Sequence, residues 1–335
     1  MSLPTSPAAP NSPRALSGAR AGHLAAIVTI FIWGTTFIST KTLLNSFSPV
    51  QILFARFVIG YFMLWLAAPR RLVLRERKEE LLFASAGLCG VTLYFLFENI
   101  ALTYTLASNV GVIISVAPFF TALADWLLLK GQRPKPRFLL GFLLALGGIF
   151  LISFNGSQDL ELNPIGDLLA LLAAVVWALY STLTKKLGSL NYPTIETTRR
   201  GFFYGLILMI PALFFLEFDL DYRALALPVN LLNLLYLGMG ASAFCFASWG
   251  LAVKVLGSVK TSVYIYLVPV VTVITSALIL GERLTPPAAF GAVLTLAGLV
   301  ISEGRFGTRP AKTAKTAKTA KTAKAAKAAN AGKAK

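Results

Sequence analysis

Acidic side chains, cysteine and histidine are all scarce in this chain. Its 335 residues include 14 Asp and Glu, two Cys and one His. Cys89 and Cys245 lie inside apolar runs at unrelated positions, so they imply neither a disulfide framework nor a metal site and read as buried thiols. A membrane-embedded enzyme would need paired acids, a histidine cluster or a nucleophile beside its base. The sequence supplies none of these. A GxxxxGK[ST] loop is missing too: the nearest fragment, Val259-Lys260-Thr261, lacks the glycine before the lysine, which argues against an ATP-driven pump. No cofactor and no metal is expected.

The chain is also short of polar surface. It is 56% hydrophobic with a mean hydropathy of +0.71, more apolar area than a soluble domain can bury. About 20 apolar residues cross a bilayer as a helix. Ten such runs are expected, at roughly 24–44, 49–68, 81–102, 107–129, 137–154, 165–184, 200–216, 231–253, 259–280 and 288–303. Residues 1–22 are polar, carry Arg14 and Arg20, and have no apolar core of their own. They read as an N-terminal tail rather than a cleavable signal peptide, with the first span as the insertion signal.

The formal charge of +17 suggests nucleic acid until the basic residues are placed. Of the 31 Lys and Arg, 27 fall before span 1, after the even-numbered spans or in the C-terminal tail. Lys41, Arg223 and Arg283 are all that the odd-numbered loops hold, whereas Asp159, Glu161, Glu217, Asp219 and Asp221 gather there. That asymmetry is the positive-inside rule. It predicts a multi-pass protein of the cell (inner) membrane with both termini in the cytoplasm, surrounded by membrane lipid. No specific nucleic-acid partner is implied.

Two matching stretches reveal a duplication. WGTTFISTK (Trp33–Lys41) and WALYSTLTK (Trp177–Lys185) share Trp, Thr and Lys at one offset. Arg56 falls at the spacing of Arg200, Pro118 of Pro269, Gly141 of Gly291 and Gly148 of Gly298. With five spans per half the second half must enter the membrane in the opposite sense, so the expected fold is all-α: ten transmembrane helices as two inverted five-helix repeats. Inverted repeats are a recurring carrier design, because the halves can exchange roles and open a central site to either side in turn.

Span 1 carries Gly34 and a stripe of hydroxyls that should face protein, either as helix-packing glue or as part of a site. Arg56 in span 2 and Glu98 in span 3 lie at equal depth, roughly 8 to 9 Å below the outer boundary at about 1.5 Å per residue. A lone charge there is costly, so an Arg56–Glu98 ion pair is expected, as a structural clamp or as part of recognition and gating. Pro118 and Pro269 sit mid-span at matching places and are candidate hinges. Asp125, near the inner end of span 4 beside Lys130 and Arg133, either reaches the interface or serves as a proton or gate residue. His23 reads as interfacial. The GFFYG run, Gly201–Gly205, offers close helix approach. After Ser302, KTAK repeats to Lys324 and gives way to KAAKAAN; this tail, 304–335, cannot form a core and is expected to be disordered. It is suited to anionic lipid.

Trp33-Gly34 with Phe37 and Lys41, Arg56 in FARF, ENIALTYTLASN from Glu98 to Asn109, Pro118, and LGERLTPPAAFGAVLTLAGLVIS from Leu280 to Ser302 resemble the EamA branch of the drug/metabolite transporter superfamily. The resemblance covers about 24–303 and implies one EamA repeat over 24–154 and another over 165–303. It further implies a central cavity and export of amino acids, other metabolites or toxic compounds. The family's Gly-Glu is present at Gly281-Glu282, whereas the first half has Lys130-Gly131-Gln132. The expected function is therefore a secondary exporter of small molecules. Its cavity candidates are Trp33, Thr36, Tyr94, Asn99, Trp177, Tyr180, Trp249 and Tyr264. Arg56 and Glu98 would close or tune the outer side, and Glu98 and Asp125 are possible proton sites. The rival reading is a membrane scaffold or sensor acting through the basic tail. The sequence names neither the substrate nor the oligomeric state.

Overall fold

The computed structural model describes residues 13–104, 107–153, 164–216, 218, 222–280 and 286–303. Gly281-Glu282, the acids at 159, 161, 217, 219 and 221, and the tail 304–335 lie outside the described residues, as does most of the N-terminal tail.

Among the described residues every regular element is helical. In chain order they are α1 (Pro13–Leu43), α2 (Pro49–Ala67), the rod α3 (Glu79–Tyr104), α4 (Ala107–Ile114), α5 (Ala117–Leu128), α6 (Pro136–Ser153), α7 (Pro164–Ser189) and α8 (Thr194–Phe215). There follow the short α9 (Tyr222–Ala226), the rod α10 (Pro228–Leu256), α11 (Ser258–Ser262), a 3₁₀ turn (Val263–Tyr266), α12 (Leu267–Leu280) and α13 (Pro286–Glu303). Six helices are long and apolar enough to cross a membrane: those beginning at Gly18, Pro49, Glu79, Pro164, Thr194 and Pro228. Four shorter apolar helices fall in the fourth, fifth, ninth and tenth expected spans.

Local chemistry sets several of these boundaries. Ser48 caps α2 in a reciprocal box with Gln51, its N–H reaching Gln51 Oε1 at 2.7 Å, and Pro49 fills the first turn where its missing N–H costs nothing. Gly257, at φ +88°, ends α10 in a conformation that favours glycine. Pro118 does not interrupt a continuous helix. The fourth run breaks after Ile114 and restarts at Ala117, which puts Pro118 in the first turn of α5. At the matching place in the ninth run, the 3₁₀ turn Val263–Tyr266 precedes Pro269 in the first turn of α12. A further matched irregularity was not foreseen. Both rods contain π-helical stretches, Leu88–Leu93 in α3 and Tyr236–Phe244 in α10.

The packing repeats itself with the halves exchanged. α1 lies against α10 and α12, while α7 lies against α3 and α5; α2 meets α8 and the π stretch of α10, while α8 meets α2 and the π stretch of α3. α6 and α13 form a pair of their own, and there the matched glycines are essential. A Cβ at Gly141 would come within 2.7 Å of the Gly298 carbonyl oxygen, and one at Gly148 within 2.5 Å of that of Gly291. Bare backbones allow the helices to touch, as close membrane crossings require. Large apolar side chains such as Phe31, Phe62, Leu143 and Phe214 remain exposed along the outer faces, as lipid contact demands.

Basic side chains collect at one end of the bundle, called here the basic end. Arg199 is buried and donates to the carbonyls of Ala68 and Arg70. Arg200 donates to the Leu72 carbonyl at 2.9 Å and forms an ion pair with Glu80. These bonds satisfy carbonyls beyond the end of α2, where the helix can no longer do so. Arg200, the sequence match of Arg56, thus works at the rim of the bundle rather than inside it.

Candidate functional site

A narrow cavity of about 50 Å³ lies between the halves. α1 contributes Trp33, Thr36 and Phe37, α2 contributes Arg56, and α3 contributes Tyr94, Phe95 and Glu98. Gly111, Ile114 and Ser115 close one wall; Trp177 of α7, Ile265 and Val268 close the other.

The cavity is apolar apart from one cation, one acid and three hydroxyl residues, Thr36, Tyr94 and Ser115. Arg56 is 3% exposed; its Nε donates to Ser242 Oγ at 3.0 Å and its guanidinium lies over the Phe95 ring at 4.4 Å. That ring contact is a cation–π arrangement, which partly offsets desolvation. Glu98 is 8% exposed, and its Oε2 accepts no hydrogen bond within the protein. The expected Arg56–Glu98 pair therefore shares a cavity without closing into a contact: the ion pairs seen among the described residues join Lys185 to Asp125 and Arg200 to Glu80. A guanidinium has five donors and a carboxylate two acceptor oxygens. Both groups keep binding capacity unspent.

Aromatic rings hold the walls. Trp33 and Trp177 meet edge to face at 5.2 Å, Tyr94 lies 4.8 Å from Trp177, and the Trp33 indole N–H donates to the Ala241 carbonyl at 3.0 Å. The Thr36 hydroxyl donates to the Trp33 carbonyl at 2.7 Å, so part of the α1 hydroxyl stripe is spent on its own backbone.

The remaining sequence candidates lie elsewhere. Trp249 is completely buried behind the wall, 5.1 Å from Trp33 and 5.9 Å from Trp177. Asn99 donates to the Pro49 carbonyl at 3.1 Å and ties α3 to the start of α2. Tyr264 shares a 2.6 Å hydrogen bond with His23. Tyr180 lines a second cavity of about 40 Å³ at the basic end, with Thr184, Phe246 and Lys254. Asp125, 5% exposed, is bound by the Lys185 ammonium and accepts from Ser258 Oγ at 3.2 Å, drawing the basic ends of α5, α7 and α11 together.

This chain matches the model of the EamA-like transporter family over residues 20–154 and again over 164–303. The chain belongs to that family. An "uncharacterized transporter" of Archaeoglobus fulgidus is 32% identical, over 84% of this chain and 97% of the relative. A "probable terminal-alkyne amino-acid exporter" of Streptantibioticus cattleyicolor is 27% identical over 84% and 93% of the two chains. A "probable amino-acid metabolite efflux pump" of Escherichia coli is 25% identical over 85% and 94%. A solved crystal structure shares the fold with a TM-score of 0.69 at 20% identity, covering 84% of this chain and 96% of that one. This EamA protein is accordingly a multi-pass membrane transporter and not an enzyme. Sequence reasoning missed Ser242, Phe95 and Ser258 as partners of its charged groups. A serine or phenylalanine in an apolar span carries no signal of its own, whereas a charge does.

Proposed function

We propose that this EamA transporter is a secondary exporter of amino acids or related small metabolites. It works by alternating access, with ten transmembrane helices arranged as two inverted five-helix repeats. The observation that carries the substrate class is the cavity's chemistry. A buried guanidinium and a buried carboxylate with an open oxygen share one aromatic-walled space, which suits a zwitterion: Arg56 receives the carboxylate, Glu98 the ammonium, and Trp33, Tyr94 and Trp177 the apolar remainder. Two relatives with names for amino-acid or amino-acid-metabolite export add support.

In this reading the basic end and both termini face the cytoplasm of the cell (inner) membrane, by the positive-inside rule. The cavity opens outward, the Asp125–Lys185–Ser258 contact holds the cytoplasmic side shut, and the break ahead of Pro118 and the 3₁₀ turn ahead of Pro269 act as hinges. Asn99, Trp249 and Tyr264 support the cavity from behind. Glu98 is the proton-coupling group, with Asp125 as a second candidate. The basic tail settles on anionic lipid and is dispensable for flux.

The deciding experiment is uptake and efflux of a labelled amino-acid panel in proteoliposomes, with and without a pH gradient. Selective flux that follows the gradient and loses its pH dependence in Glu98→Gln is the expected result. Absence of flux for every zwitterion tested, in protein that remains folded, would overturn the substrate class.

A further inference from the structure

The second cavity is more than the closed side of the first. At the basic end, a wider groove bearing Lys185, Ser189 and Asn191 shares Gly188, Thr194 and Lys254 with the deeper cavity, so the two form one funnel between α7, α8 and α10. The polar groups along its deep part are the Lys254 ammonium and the hydroxyls of Tyr180, Thr184, Tyr192, Thr194, Thr197 and Thr198, of which Thr198 donates to the Thr194 carbonyl at 2.9 Å. Neither lining includes a carboxylate. Of the nearby acids, Asp125 is engaged by Lys185 and Glu79 by the Tyr192 hydroxyl at 2.6 Å, while Glu196, beside Thr197 on α8, belongs to neither lining. Lys254 donates to the Tyr192 carbonyl at 3.3 Å, which leaves two of its three ammonium protons uncommitted.

The funnel stops at a single aromatic layer. Tyr180 and Phe246 lie at its inner end, and their rings are 5.2 Å and 6.2 Å from Trp177, which is itself a wall of the first cavity. The repeat explains the correspondence. Tyr180 stands where the first half has Thr36, and Phe246 where it has Phe95; both first-half residues line the first cavity. At the position of Glu98, however, the second half has Trp249. One cavity therefore offers a cation and an acid, while its counterpart offers a cation and hydroxyls only.

The geometry points to a loading site: the funnel receives the carboxylate end of a small, otherwise apolar molecule, an apolar amino acid among them, on Lys254 and the α8 threonines before it passes the Trp177–Tyr180–Phe246 layer. The assignment rests on the amino-acid reading for its ligand class and on the funnel's own lining for its location. A carboxylate is selected because the lining holds no acid of its own, the hydroxyls of Thr194 and Thr197 can donate to it, and the Lys254 ammonium adds charge assistance. Neither lining offers the ligand's ammonium an acid, whereas the first cavity offers Glu98.

The test reads occupancy, not transport. In a Cys89→Ala/Cys245→Ala background, Thr197→Cys in inside-out vesicles is alkylated by a maleimide in the presence of millimolar L-leucine or L-leucinamide. Leucine should slow alkylation at least about twofold, the value reached when its concentration equals the Kd, and leucinamide, without the carboxylate, should not. Lys254→Gln should remove the protection and Lys254→Arg should keep it, with Thr194→Cys as an independent reporter. Equal protection by leucine and leucinamide, no protection in either reporter, or full protection in Lys254→Gln would each overturn the site. Protection without flux would instead count against the exporter reading alone, and flux without protection against the loading site alone.

Discussion

A charged side chain inside an apolar span is the residue that reports most from sequence, because its burial must be compensated. Arg56 and Glu98 were legible for that reason, and both line the cavity. Their partners were not legible. Arg56 spends Nε on Ser242 and its face on Phe95 rather than closing on Glu98, and no spacing rule distinguishes Ser242 from the many hydroxyls that merely pack helices. The aromatic candidates divided by rotation about the helix axis: Trp33 and Trp177 face the cavity, while Trp249 is turned into the core. The Arg56 contacts also yield a prediction. Arg56→Lys keeps the charge but loses the planar fork and the ring stacking. Substrate affinity should fall about tenfold or more, equivalent to about 1.4 kcal/mol, and thermal stability should also drop, since the buried Ser242 and Phe95 contacts go with the fork. Equilibrium binding to the purified variant checks this, and wild-type affinity would mean that the fork and the stacking are dispensable.

At the scale of elements, the two proline positions were legible and the way the chain uses them was not. Pro118 opens a helix after a break, and Pro269 follows a 3₁₀ turn within a run that stays helical throughout. The π stretches of α3 and α10 left no signature, since nothing in LCGVTL or YLGMGASAF demands an i→i+5 bond. The glycine pairs were visible as repeats, yet only the packing shows Gly141 facing Gly298 and Gly148 facing Gly291. A Cβ at Gly148 would press on backbone atoms, the Gly291 oxygen at 2.5 Å and the Thr295 nitrogen at 2.6 Å, which cannot rotate away. Gly148→Ala should thus cost about 1–3 kcal/mol, whereas Gly111→Ala, with open space at its Cβ, should cost far less. Thermal unfolding in detergent separates the two.

The contact of Asp125 with Lys185 and Ser258 is the element-scale device with the clearest asymmetry. By the repeat offsets Lys185 matches Lys41, and Asp125 matches Ser276. Lys41 is exposed, and the place in the second half that matches Asp125 holds a serine. The fold therefore latches its basic end by an ion pair that has no counterpart at the matched positions, Lys41 and Ser276. Asp125→Asn removes one partner of a largely buried pair, and the cost of about 3–5 kcal/mol for a fully buried pair is reduced here because Lys185 is 37% exposed on its side chain. The expected outcome is faster alkylation, from the basic end, of a cysteine placed at Ser181, which is fully buried. The double reversal Asp125→Lys/Lys185→Asp should restore slow labelling. Unchanged labelling in Asp125→Asn would show that the pair does not hold this end shut.

For the whole molecule, hydropathy and the duplication were enough to indicate an all-helical membrane fold, because apolar length and offset are global properties that survive local error. The same global view separates charge that reports topology from charge that does work. Ten of the 31 basic residues stand beyond Ser302, outside the described helices and outside both family matches. A transporter whose chemistry resides in the Arg56–Glu98 cavity has no need of them, while a scaffold or sensor acting through its tail does. Removing residues 310–335 should leave flux within about twofold of the full chain while weakening association with anionic vesicles by about 1 kcal/mol per lysine that reaches the surface. This association should also fade with salt, as the Debye length shrinks from about 10 Å at 0.1 M to about 3 Å at 1 M. Flux assays beside vesicle co-sedimentation separate the readings. Loss of flux with the tail would move the functional centre out of the cavity, and preserved flux with lost vesicle binding would leave the tail a lipid tether on a carrier that works without it.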